Sequence, residues 1–267
     1  MKQVLPAAFL VIISLLAHCQ EFIPSQVYGG KQQLKTFIEQ ELIYPGSALQ
    51  AETEGTVSVF YRINEKGQVS HVRFDKRLSP DCDLETLRIF RMLEWEPAMV
   101  RGIAKSDSGH FNIEFNIKKY NRLCKQRGYK ALYFPYEPAD TSGRIYLYKN
   151  LETAPRPLFT NEGITLAGFI AANLQYPEAA IKQNVSGVVT LAFVVETHGR
   201  VSNTHIVNSL GAGCNEEALR ILQMIKWMPG TMNQQAVRTR MKLSINFNLE
   251  QGPGGSFNPN VKSSYGG

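Results

Sequence analysis

This 267-residue sequence is poor in the residues that usually announce chemistry, with 4 cysteines, 5 histidines and 2 tryptophans. No Cys-x-x-Cys or Cys/His spacing suits a metal, so no metal or cofactor site is expected. Long apolar runs are also missing. The longest, Val4 to Ala17, is broken by Pro6 and Ser14 and falls short of the roughly 20 residues that cross a bilayer. Nor is there a strong excess of either charge: 29 Lys and Arg against 23 Asp and Glu give +6. A bias that mild names no partner.

What is present points first to export. Lys2 followed by the apolar run has the form of a signal peptide over residues 1–19. Ala17-His18-Cys19 fits cleavage before Gln20, while Leu16-Ala17-His18-Cys19 also resembles a lipoprotein box that would leave Cys19 as the lipidation site. Either route predicts a periplasmic protein, with a lipid anchor under the second. The remaining cysteines, Cys82, Cys124 and Cys214, are odd in number, so their disulfide state stays open. With 43% apolar and 19% charged residues, the rest reads as folded, in one large or two ordinary domains.

Sliding the sequence along itself reveals a duplication at an offset that puts Phe37 on Phe169 without a gap. "FIEQELIYP" from Phe37 falls on "FIAANLQYP", and "CDLETLRIFRMLEWEP" from Cys82 falls on "CNEEALRILQMIKWMP" from Cys214. In both copies a helical stripe, Leu34, Phe37, Ile38 and Leu42 or Leu166, Phe169, Ile170 and Leu174, runs up to Tyr-Pro. After Gly55 and Gly187 the sequence alternates as strands do, and Gly67 and Gly199 mark the turns of hairpins.

Asp83 and Asn215 are the expected N-caps of a second helix ending at Pro97 and Pro229. A last strand alternates over 111–117 and 241–249. The expectation is an α+β protein of two tandem small domains. Each is a helix-hairpin-helix-strand module with two helices on one face of a short antiparallel sheet. The domains are placed at 28–117 and 158–249, joined by a basic, aromatic linker over 118–157 and followed by a disordered tail over 250–267.

In order, Tyr-Pro, the Gly-x-Val hairpin, "CNEEALRILQMIKWMPG" and "INFNL" resemble the TonB C-terminal domain family. That resemblance implies a periplasmic module which captures an extended segment, the TonB box, of an outer-membrane TonB-dependent transporter by adding it as a strand beside the last strand. The receiving edges would carry Asn112, Glu114 and Asn116 in copy one, and Lys242, Ser244, Asn246 and Asn248 in copy two. The usual membrane-spanning anchor and Pro-rich spacer of an energy transducer are not seen, which separates peptide binding from energy transduction.

Other features weigh less. Cys82 and Cys214 stand at one aligned position before a helix, as reactive thiols or as buried small residues, and burial is favoured. Glu216 aligns with Leu84, so its pairing with Glu217 occurs in one copy only and paired-carboxylate catalysis loses its motive. Trp95 and Trp227 read as core, and His71, His110, His198 and His205 as surface residues.

The run "KKYNRLCKQRGYK" could meet a polyanion, but an exported chain argues against nucleic acid, and a solvated face is preferred. The leading expectation is a non-enzymatic binder of peptide segments from transporters or other envelope proteins, its two modules on a tether. The alternative is a structural or scaffold envelope protein, a homodimer through its edge strands. Membrane association is expected only through an anchor at Cys19.

Overall fold

The computed structural model describes residues 22–130, 136–159 and 163–249. The signal segment, Cys19 and the tail over 250–267 lie outside these residues.

In the first module β1 (Phe22–Ile23) and β2 (Gln26–Val27) lead into α1 (Gly30–Glu41) and a short α2 (Gly46–Gln50). The hairpin β3 (Gly55–Ile63) and β4 (Val69–Lys76) follows, then α3 (Pro80–Met92), β5 (Trp95–Glu96), β6 (Ala98–Val100), β7 (Ile103–Lys105), β8 (Asp107–Phe115) and α4 (Ile117–Arg127). Between the modules come β9 (Ile145–Leu147), a 3-10 turn and β10 (Arg156–Leu158). The second module repeats the plan with α5 (Leu166–Asn173), α6 (Glu178–Lys182), β11 (Gly187–Val195), β12 (Val201–Asn208), α7 (Cys214–Met224), β13 (Lys226–Met228), β14 (Gly230–Met232) and β15 (Gln235–Phe247).

Each module closes its own core. Val57, Val59, Tyr61 and Ile63 on β3 and Phe111, Ile113 and Phe115 on β8 turn one face of an antiparallel β4-β3-β8 sheet toward Phe37 of α1 and Ile89 and Phe90 of α3. The second core is built the same way from Val189, Leu191, Phe193 and Val195 against Ile170, Ile221 and Leu222. Period-two alternation on the strands and helical spacing on the helices therefore meet in one layer of sheet and one of helix. At the hairpin turns Gly67 has φ 74° and Gly199 φ 84°. A Cβ on either would stand 2.3 Å from the carbonyl oxygen of Trp95 or 2.2 Å from that of Trp227, so the turn needs glycine for its backbone and for the approach.

Several expectations change. Asp83 and Asn215 do not cap the second helices, which begin at Pro80, behind the N-cap Ser79, and at Cys214, behind Gly213. Both side chains instead reach back to the preceding loop, accepting from the amides of Leu78 at 3.1 Å and Leu210 at 3.0 Å. The stretch read as a linker is largely built into the modules. α4 buries Tyr120 and Cys124 in the first core, β9 pairs in parallel with β15, and β10 pairs with β13.

Nor do the modules hang on a tether. α1 packs against β12, and the contact is polar and buried. His198, expected at the surface, is 7% exposed and meets Glu41 at 2.9 Å. Asn203 accepts from the amide of Glu94 and donates to the carbonyl of Met92, both at 2.8 Å. Arg238 pairs with Glu196 at 2.8 Å and donates to the same Met92 carbonyl. Among the four histidines read as surface residues, His71 and His110 are exposed, while His205 stacks on Tyr28 across the interface, ring centroids 4.4 Å apart.

Candidate functional site

The chemistry-bearing candidates resolve into structure. Cys82 and Cys214 are fully buried and free, and burial pushes both thiols up, away from the thiolate. Glu85 accepts from the amide of Ile43 at 2.8 Å and pairs with Arg88 through Nε and Nη2, and Nη2 also donates to the carbonyl of Glu41 at 2.6 Å. Glu217 and Arg220 repeat this on Gln175 and Asn173, both at 2.6 Å. The shared Glu-x-x-Arg thus clamps the end of the first helix to the second helix in each copy. Trp95 and Trp227 are buried in the cores. Among the described residues no group of three metal-ligating side chains occurs, and no helix is long and apolar enough to cross a membrane.

The last strands are different. β8 pairs with β3 along Asp107 to Phe115, and among the described residues no strand covers its other side. That open edge faces a groove of about 410 Å³ between α1 and α4. Leu34 and Ile38 of α1, Leu42 just after it, Ile113 of β8 and Leu123 of α4 give it apolar walls. Lys31, Lys35 and Arg122 stand on its rim. Asn112 and Glu114 lie on the exposed side of β8, Glu114 paired with Lys119 at 2.7 Å.

Asn116 does not lie on the receiving strand. The strand ends at Phe115, and Asn116 caps α4 by accepting from the amide of Lys119 at 2.8 Å. Asparagine followed by Ile117, Tyr120, Cys124 and a closing Gly128 is a helix signal that the strand pattern of "FNIEFNI" masked. The groove depends on the same signal, because α4 is one of its walls.

In the second module β15 is longer than the span 241–249. It runs from Gln235 to Phe247, so Asn248 lies just beyond it. β11 pairs with its 239–247 stretch on one side. The opposite side takes β14 at 235–237 and β9 at 238–240. Beyond these, along Met241 to Phe247, no described strand pairs with that side. Lys242, Ser244 and Asn246 are half-buried there, alternating with the core residues Met241, Leu243, Ile245 and Phe247, and Ser244 meets Thr190 at 3.0 Å.

Fold and site together define a duplicated α+β module whose last strand keeps an open edge. A sequence profile described as Gram-negative bacterial TonB protein C-terminal matches residues 40–117 and 172–249, more than half of the chain. The chain belongs to that family, in two tandem copies. Among solved structures, the NMR solution structure of Helicobacter pylori TonB-CTD (residues 179-285) is similar at 19% identity, covering 32% of this chain and 78% of that one with a TM-score of 0.26. No curated protein matches. The family is one of envelope transport proteins rather than enzymes, and outer-membrane transporters are its kind of partner.

Proposed function

We propose that the chain binds extended peptide segments of outer-membrane transporters, or of their envelope partners, by strand addition at the open edges of β8 and of β15 beyond Arg240. The observation that carries this reading is the β8 edge opening into the apolar groove between α1 and α4. Unpaired N–H and C=O groups supply the affinity, and pockets for alternate side chains supply the selectivity. The chain's own connector supports it, since Ile145–Leu147 is an extended segment added to the same edge of β15. Because the modules pack together, the two edges are held on one body and would engage two segments at a fixed separation rather than along a flexible tether.

Calorimetric titration of the full chain with TonB-box peptides tests this. Asn112→Pro should remove binding at the first module and Asn246→Pro at the second, because proline lacks the N–H and blocks the edge. Circular dichroism separates lost binding from lost fold. Unchanged binding in a folded double variant would overturn the reading.

A further inference from the structure

A separate feature lies away from both edges. β1, β6 and β7 form a small sheet of their own, with Phe22 opposite Val100 and Val100 opposite Ile103. The neighbouring row is Ile23, Met99 and Ala104. Residues directly opposite share a face and adjacent rows take opposite faces, so this blade is apolar on both sides. Phe22 is 55% exposed, Ile103 62% and Ile23 45%. The β6–β7 hairpin from Ala98 to Lys105 turns at Arg101 and Gly102 and carries two cations, Arg101 and Lys105, and no acid.

The second module holds an internal control. Its matching hairpin, β14 into β15, makes the same kind of turn, with φ 51° at Asn233 and 61° at Gln234 against 51° at Arg101 and 76° at Gly102. Yet its tip reads Met-Asn-Gln-Gln where the first module has Val-Arg-Gly-Ile. The fold therefore needs neither the apolar pair nor the charge at this turn.

We propose that the first module's blade is a membrane-docking tip, inserting Phe22, Ile23, Val100 and Ile103 into the interface of a bilayer while Arg101 and Lys105 meet anionic headgroups. A protein packing on one face would leave the other in water, whereas lipid surrounds both. Charge agrees on the β6–β7 hairpin, whose two cations outnumber Glu21, the acid that precedes Phe22 in sequence. So does position along the chain: Phe22 follows Cys19 by three residues, and an acyl chain there would hold this tip against the bilayer. The tip adds a second membrane contact to the anchor, independent of any peptide at the edge strands.

Vesicle flotation of the chain carrying Cys19→Ser and lacking residues 1–18, which has neither the apolar run Val4 to Ala17 nor a thiol to acylate, reads the tip alone. The chain should bind mixed phosphatidylcholine and phosphatidylglycerol vesicles more tightly than pure phosphatidylcholine. Exchanging the tip for that of the second module (Val100→Met, Arg101→Asn, Gly102→Gln, Ile103→Gln) should weaken binding by about tenfold or more, as should Phe22→Ser with Ile23→Ser. Arg101→Gln with Lys105→Gln should cost about fivefold per charge on the anionic vesicles only. The proposal is overturned if the Cys19→Ser chain binds neither vesicle, or if binding ignores the tip exchange. It is equally overturned if the exchange alters only self-association in sedimentation velocity, which would make the blade a protein contact.

Discussion

At the scale of single residues, the repeated side chains act as fasteners. Glu217 is 8% exposed, accepts the Gln175 amide and holds Arg220, which itself reaches the carbonyl of Asn173. Glu217→Ala leaves an amide and a guanidinium without their acceptor, a loss of about 2 kcal/mol, visible as a lower thermal midpoint with peptide affinity at the first module unchanged. The buried thiols give a second expectation. Cys82 and Cys214, raised by burial and lacking exposed surface, should resist iodoacetamide at neutral pH in the folded chain and react once it is unfolded. Fast labelling of either in the native state would contradict their place in the core.

At the scale of elements, the parts legible in the sequence were those whose pattern was complete within a few residues and repeated. Phe37, Ile38 and Leu42 mark α1, and the alternating residues of β3 and β8 mark their own faces. The misread parts depended on the whole chain. Asp83 resembles a cap, but the N-cap is Ser79, four residues earlier, and the Asp83 carboxylate is used by the loop instead. α4 carries so much charge, with Lys118, Lys119, Arg122, Lys125 and Arg127, that its narrow buried stripe of Tyr120 and Cys124 passed for linker. Its capping residue can be tested. Asn116→Ala should cost the helix about 1 kcal/mol, fray the wall of the groove, and raise amide exchange over Ile117 to Tyr120 before the rest of the module.

At the scale of the molecule, the two copies differ most usefully where they meet. Glu41, His198, Asn203, Arg238 and Arg240 form the contact, while their counterparts in the other copy are Asn173, Lys66, His71, Ser106 and Ser108. The interface is therefore one of a kind and does not propagate to further modules, and such partner choice is invisible in a sequence read for what its halves share. The end of α1 shows its logic. α1 has no basic residue in its last turn, and its terminal carbonyls are met by Arg88, Arg127 and Arg200 from three other segments. Nearby, Gly29 sits at φ 81° with the Thr204 carbonyl oxygen 2.2 Å from where a Cβ would stand. Gly29→Ala should push the modules apart, read as a larger radius of gyration in solution scattering.

Acid should act on the same contact. Burial opposes charge on Glu41, yet the hydrogen bond and charge of His198, with Arg88 and Arg200 beside it, hold its carboxyl below the ordinary value of 4.5. A carboxylate lowered on folding contributes stability that is complete above its unfolded value and is lost as pH falls through its folded one. Docking of the modules should therefore hold at neutral pH and loosen below about pH 4.5, with the unfolding transition broadening or splitting in two. Other carboxylates titrate in that window as well, so the comparison is with Glu41→Gln, which removes the charge at every pH. That variant should be the less stable chain at pH 7, and its deficit against the native sequence should shrink as the pH is lowered through that window. A deficit independent of pH would show that Glu41 holds the interface through packing alone.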